Sequence, residues 1–170
     1  MEQLEVETSF VCNGRAVVVS APADESLLYA LRERLGIFSA KDGCAPQGQC
    51  GCCTVLVDGE PRVACVTPIA RVAGRAVTTI EGLDAGDRAR LAEAFVATGG
   101  SQCGFCTPGI VMRGSGGRVR DLDRALAAHL CRCTGWRTVY DAIRGDAPAV
   151  ARDLNAAARR AELELSLIHI

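Results

Sequence analysis

Apolar positions at the start of the chain alternate. Leu4, Val6 and Thr8 lie two apart, and the run Ala16 to Val19 follows an Asn13-Gly14 pair. A period of two predicts strands, and Asn-Gly between two such runs predicts a tight hairpin. The period then lengthens. In ESLLYALRERLG, Leu27, Leu28, Leu31 and Leu35 recur at helical spacing, with Asp24 as the expected N-cap and Gly36 as the stop. A Gly- and Cys-rich loop runs from Gly43 to Cys53. Beyond it, TVLVDGEPRVACV reads as a second hairpin around Asp58-Gly59, and RAVTTIEGL as a short strand near Val77 to Ile80.

From Asp87 the pattern turns helical. ARLAEAFVATGG, DLDRALAAHL and TVYDAIRGDAPAVARDLNAAARRAEL are rich in Ala, Leu and Arg with apolar faces at helical spacing, and Gly99-Gly100 and GSGG (Gly114 to Gly117) separate them. The expected fold class is α+β, with a strand-rich domain over 1–82 and a helical domain over 83–164. The last six residues, LSLIHI (165–170), match the translation of a transposase adapter end, CTGTCTCTTATACACATC, and are expected to be a sequencing artefact.

Composition narrows the class. Of 170 residues 49% are hydrophobic and 23% charged, which fits a globular chain. Aromatics are only 4%, so a single large core is hard to build and another source of stability is expected. The net charge is −1, with no basic block that would suggest nucleic acid and no acidic tail. Basic residues are nearly all Arg, Lys41 being the only lysine, which reads as base composition of the source. MEQLEVETSF lacks the features of a secretory signal, and no apolar run is long enough to cross a membrane. The chain is therefore expected in the cytoplasm, where thiols stay reduced and ten cysteines point to metal rather than disulfides.

Eight of the ten cysteines form two sets. Cys44, Cys50, Cys53 and Cys65 follow Cys-x5-Cys-x2-Cys-x11-Cys; Cys103, Cys106, Cys131 and Cys133 follow Cys-x2-Cys-x24-Cys-x1-Cys. The first is close to the plant-type ferredoxin spacing, in which two irons each take two thiolates. Such a loop must offer backbone N–H groups to anionic sulfur, and Gly43, Gly48 and Gly51 stand where the chain has to approach closely. The competing reading is structural zinc on four cysteines, but zinc usually takes two Cys-x2-Cys pairs, and each set here has one. Cys12 and Cys52 are left over and read as small buried hydrophobes. His129 and His169 are the only histidines, too few for a Rieske-type site beside four cysteines. No Ser/His/Asp set, phosphate loop, paired carboxylates or dinucleotide fingerprint is present, so no substrate chemistry is visible.

CAPQGQCGCCTVLVDGEPRVAC, QCGFCTPGIVM and HLCRCTGW, in this order, resemble the iron–sulfur subunit of the xanthine dehydrogenase / aldehyde oxidase / carbon monoxide dehydrogenase family of molybdenum hydroxylases. The resemblance covers about residues 3–160. It implies a β-grasp, plant-ferredoxin-like domain with one [2Fe–2S] cluster on Cys44, Cys50, Cys53 and Cys65. It implies a helical domain built around a four-helix bundle, with a second cluster on Cys103, Cys106, Cys131 and Cys133. It further implies a molybdopterin-binding large partner beside the second cluster, approached by Gln102 and Cys133, and an FAD-binding partner on the side of the first. Cys103 to Thr107 and Cys131 to Gly135 would face the molybdenum side, and the rim of the Gly43 to Cys53 loop the flavin side. Electrons from substrate hydroxylation would run from molybdenum through both clusters to the flavin, with no catalytic residue on this chain.

The chain departs from the family's pattern in several places. The first spacing is x5 where x4 is common, so Ala45 to Gln49 must bulge; Cys52 stands where Ala is usual; x24 is short, so GSGG should cut the second bundle helix short; and His129 replaces an Asn. The alternatives are a free-standing two-cluster electron carrier, which a helical second domain argues against, and a zinc-stabilised interaction module.

Overall fold

The computed structural model describes residues 4–116, 121–145 and 159. Two strands open the chain, β1 (Glu5–Cys12) and β2 (Arg15–Pro22), paired antiparallel. Asn13 and Gly14 both take left-handed φ (49° and 80°), which matches the twist of the flanking strands. The alternation holds from Thr8 onward: Thr8, Phe10 and Cys12 are buried, as are Val19 and Ala21 across the hairpin. Leu4 and Val6 share that parity but are exposed.

The first helix, α1 (Leu27–Tyr29), continues as a π-helical turn over Ala30–Arg34. Its N-cap is Ser26, whose hydroxyl accepts from Tyr29 N at 3.1 Å, and not Asp24. Both residue types can cap; the chain from Ala23 to Glu25 instead bonds to 69–70 through Ile69 N→Glu25 O and Ala70 N→Ala23 O. Leu27, Leu28 and Leu31 are buried as their spacing predicts.

Three more strands, β3 (Thr54–Val57), β4 (Glu60–Val63) and β5 (Ala76–Thr78), complete a mixed sheet of order β2-β1-β5-β3-β4. β1 and β5 are parallel, and β3 pairs antiparallel with both β4 and β5. The Asp58-Gly59 turn has φ of 50° and 79°. Cys65 is expected on a strand but lies in a tight 3-10 turn, Ala64–Val66, which swings it back to Cys53. Strand β3 is buried on both faces. Val55 and Val57 enter a core with Phe10, Leu27, Leu31, Ile69 and Val77. Thr54 and Leu56 face the helical part, against His129 and Gly116 respectively.

Four helices follow among the described residues: α2 (Ala85–Thr98), α3 (Thr107–Ser115), α4 (Leu122–Leu126) and α5 (Trp136–Arg144). Asp84 caps α2, accepting from Gly86 N at 2.8 Å, and Gly99 ends it in the left-handed region. Leu91, Phe95, Ile110, Val111, Leu126 and Val139 form a second core between these helices. Each such residue contributes about 1.5–3 kcal/mol on full burial. α3 stops at Ser115, in keeping with the shortening expected from GSGG. DLDRALAAHL departs from expectation: α4 ends at Leu126, and 127–130 leave the helix so that Leu130 N can bond to Cys50 O. The long expected C-terminal helix ends at Arg144, with Gly145 at φ 77°. Its remainder, apart from Arg159, and the 165–170 tail lie outside the described residues. Among the described residues no helix is long and apolar enough to cross a membrane.

The two cores meet where α3 crosses β3 and the loop before it. Gly109 makes this possible: a Cβ there would collide with the Gly51 carbonyl oxygen and lie 2.9 Å from Cys52 backbone atoms. Gly109→Ala should therefore push α3 off the loop at a cost of about 1–3 kcal/mol, the usual range for overpacking. Thermal unfolding should show the midpoint lowered by roughly 2–12 °C for a chain of this size. An unchanged midpoint would contradict this packing.

Candidate metal centres

All ten cysteines are free thiols. The loop from Gly43 to Cys53 is held as an irregular coil between α1 and β3, with Lys41 N donating to Cys52 O and Thr54 N to Gly51 O. It brings the first set together in two couples. Cys44 faces Cys50, and Cys53 faces Cys65, whose backbone N donates to Cys53 Sγ at 3.4 Å. Further N–H groups converge on these sulfurs: Gln47 N lies 3.4 Å from Cys44 Sγ, Gln49 and Cys50 donate to the same thiol, and Gly48 to Cys65. The extra residue in the spacing is absorbed at Ala45, which takes a left-handed φ of 49° and donates its N–H to Asp42 Oδ1 at 3.0 Å.

The second set lies at the start of α3 and in the loop before α5. Cys133 Sγ donates to Cys103 Sγ at 3.2 Å, and Cys106 faces Cys131. Cys131 Sγ is also 2.9 Å from Thr134 Oγ1. Cys103 and Cys133 are exposed and Cys106 is buried, so one couple faces solvent and the other faces inward. Gln102 is exposed, next to Cys103 on the same outer side.

The two sets adjoin. All four second-set cysteines line one open cavity of about 380 Å³, and Cys50 and Cys52 of the first loop form its inner wall. Cys52 is buried there, among neighbours that include Cys50 and Cys106, and its Sγ donates to Cys50 O at 3.6 Å. It is thus a buried small residue, as expected of a leftover cysteine, at a seam the sequence does not announce. Cys12 is buried in the first core.

Burial and hydrogen bonds sort the thiols by acidity. Burial pushes Cys44 up, but the N–H groups of Gln49, Gln47 and Cys50 and the Cys50 thiol outweigh it and bring it down to about 6. Cys131 is likewise raised by burial, yet Thr134, the Cys133 N–H and the Cys106 thiol bring it down to about 7. The Phe105 N–H and the Cys133 thiol lower Cys103. Burial and neighbouring sulfur push Cys52, Cys65 and Cys106 up to about 12, and burial also raises Cys53. In the second set each couple pairs one lowered thiol with one raised thiol, the arrangement of a proton shared between two sulfurs.

The sequence marks His129 only as a rejected ligand and as a replacement for a commoner Asn, not as a packing residue. It is buried, with Nε2 3.5 Å from Thr54 Oγ1. Burial, then the charge of Arg113, push its pKa down to about 4, partly offset by the Gly109 backbone, so the ring is neutral near pH 7. The available signal is its position two residues before Cys131.

Comparison with known proteins agrees with two centres. A 2Fe-2S iron-sulfur cluster binding domain matches residues 10–74, and a [2Fe-2S] binding domain matches 79–144. The small subunit of nicotine 6-hydroxylase from Paenarthrobacter nicotinovorans is 37% identical over 84% of this chain and 90% of its own length. Xanthine dehydrogenase of Drosophila pseudoobscura pseudoobscura is 39% identical over 82% of this chain, which spans only 12% of that protein. The crystal structure of quinoline 2-oxidoreductase from Pseudomonas putida 86 superposes with a TM-score of 0.72 at 34% identity, over 82% of this chain and 91% of the matched one.

The thiol acidities predict an order of alkylation. In protein freed of bound metal, iodoacetamide should label Cys44, Cys103 and Cys131 first and Cys52, Cys65 and Cys106 last, read by mass spectrometry. Only the thiolate reacts, so the Cys131 rate should rise through pH about 7 and then level off. Uniform labelling of all eight set members would contradict the geometry.

Proposed function

The chain belongs to the iron–sulfur subunits and domains of the xanthine dehydrogenase / aldehyde oxidase family, and on that premise we propose that it is the electron-transfer part of a molybdenum hydroxylase. In this reading electrons pass from a molybdopterin centre on a partner, through two [2Fe–2S] clusters on this chain, to a flavin or other acceptor. The observation that carries it is the pairing of the thiols. Eight cysteines fall into two sets of four, and each set is two couples. A two-iron cluster needs two thiolates per iron, whereas zinc needs all four sulfurs about 2.3 Å from one point. The donor chemistry fits: free thiols, several of them lowered, with backbone N–H groups aimed at sulfur.

Bound at these positions, a [2Fe–2S] cluster accepts and releases single electrons. Cys44, Cys50, Cys53 and Cys65 would hold the first, and Cys103, Cys106, Cys131 and Cys133 the second. The surrounding N–H groups stabilise negative charge on sulfur, and the α3 and β3 backbones hold the two loops in register. The assignment makes the sheet-bearing part, 1–82, a β-grasp domain and the helical part, 83–164, a domain built around a four-helix bundle.

The surface supports partners on two sides. Phe105 (45% exposed) and Leu130 (60%) rim the second cavity beside the exposed Cys103, Cys133 and Gln102, which suits an apolar contact with a molybdopterin-binding large subunit or domain. Gln102 and Cys133 are the residues placed to approach the pterin. Val66 (56% exposed) covers Gly48 at the rim of the first loop, on the side assigned to an FAD-binding partner. Ten free thiols fit a reducing, cytoplasmic setting. The chain spans about an eighth of the xanthine dehydrogenase relatives, so the substrate pocket is assigned to the partner.

Cys133→Ser should remove the second cluster, halving iron from about four to about two per chain and leaving one reduced [2Fe–2S] resonance. Cys52→Ala should leave both resonances in place. Survival of both signals in Cys133→Ser, or loss of one in Cys52→Ala, would overturn the ligand assignment.

A further inference from the structure

One buried side chain joins the two thiol sets directly. His129 is only 2% exposed, although Leu130 beside it is largely open to solvent. Its ring occupies the space above Gly51, where a Cβ would fall 2.5 Å from its Cδ2 and 2.6 Å from its Nε2. Gly51 can leave that space free and hold φ at 68°, a conformation that side chains resist. The other flank of the ring meets Thr54, whose hydroxyl donates to Gly51 O at 2.7 Å. Immediately after the ring, Leu130 N donates to Cys50 O at 3.1 Å. Nδ1 has no hydrogen-bond partner and Nε2 has only the long 3.5 Å contact to Thr54 Oγ1, so filling volume contributes more than hydrogen bonding to the hold of the ring.

The neighbours give this packing its meaning. Gly51 lies between Cys50 and Cys52, Thr54 follows Cys53, and His129 itself precedes Cys131 by two. The ring cannot shift without moving a segment that carries a thiol. An ordinary core histidine would stabilise its own domain, whereas this one fills the seam between two ligand-bearing loops.

We propose that His129 is a positioning residue whose ring, wedged against Gly51 and Thr54, fixes the separation of the two centres and thereby the strength of their coupling. The proposal rests on the reading that each thiol set holds a [2Fe–2S] cluster. Two reduced clusters each carry an unpaired spin, and their mutual splitting falls with the cube of the distance between them. The splitting therefore reports separation, whatever the activity of any assembled enzyme.

The test compares the full chain with His129→Ala and His129→Asn, counting iron and sulfide first and then recording electron spin resonance of the reduced proteins. His129→Ala should keep about four irons and lose or change the inter-cluster splitting, and His129→Asn, which retains a planar polar group, should recover most of it. Wild-type splitting in His129→Ala at full iron content would overturn the proposal. If His129→Ala does not fold, hydrogen exchange of the Leu130 amide in His129→Ser, which also removes the ring but carries a hydroxyl, decides. Exchange faster than wild type at unchanged global stability supports the wedge, and unchanged exchange with unchanged splitting overturns it. A wild-type chain without iron would overturn the cluster reading instead, and Leu130 exchange would still test the packing.

Discussion

Gly51 carries its backbone at φ 68° with no side chain, and two other parts of the chain close on it. Gly109 brings the first turn of α3 against its carbonyl, and His129 lays its ring where a Cβ would be. Any L side chain at 51 or 109 would separate these three segments. The rest of the arrangement depends on this close approach: α3 carries Cys106 at its start, the His129 segment leads into Cys131 and Cys133, and Gly51 lies within the first loop. Backbone contact without intervening side chains is how a chain with few aromatics joins two small cores into one body.

The same approach shapes the chemistry. Sulfur is costly to hold as thiolate where it is buried, and the buried thiols Cys52, Cys53, Cys65 and Cys106 are all driven toward the protonated form. Where loops turn backbone N–H groups onto sulfur, as at Cys44 and Cys131, the balance reverses. A cluster binding all four thiols of a set would discharge this conflict by taking each as a thiolate, which ties cluster loading to the integrity of the fold. The solvent-facing couple, Cys103 and Cys133, lies on the same cavity as the buried Cys50 and Cys52, so the second site has one face toward solvent and one toward the first loop.

Local signals in the sequence were faithful where the backbone obeys local rules. Asn13-Gly14 and Asp58-Gly59 placed both hairpins, because two successive left-handed residues admit few alternatives. The cysteine spacings picked out two sets, and the structure brings each together. Legibility ended where distant contacts decide. DLDRALAAHL has helix-forming composition throughout, yet its last residues unwind because Leu130 and His129 find partners at Cys50 and Gly51. Asp24 and Ser26 are both competent caps, and the pairing of residues 23–25 with 69–70 selects Ser26. Nothing in the spacing reveals which thiols couple, nor that Cys52 and His129 occupy the seam. Those facts come from three loops meeting in space, which a linear pattern does not encode.

The most direct measurement is iron and acid-labile sulfide per chain, with electron spin resonance of the dithionite-reduced protein. The account predicts about four irons, about four sulfides and two distinguishable [2Fe–2S] signals. About two irons with one signal would limit the assignment to one thiol set, and zinc without iron would contradict it.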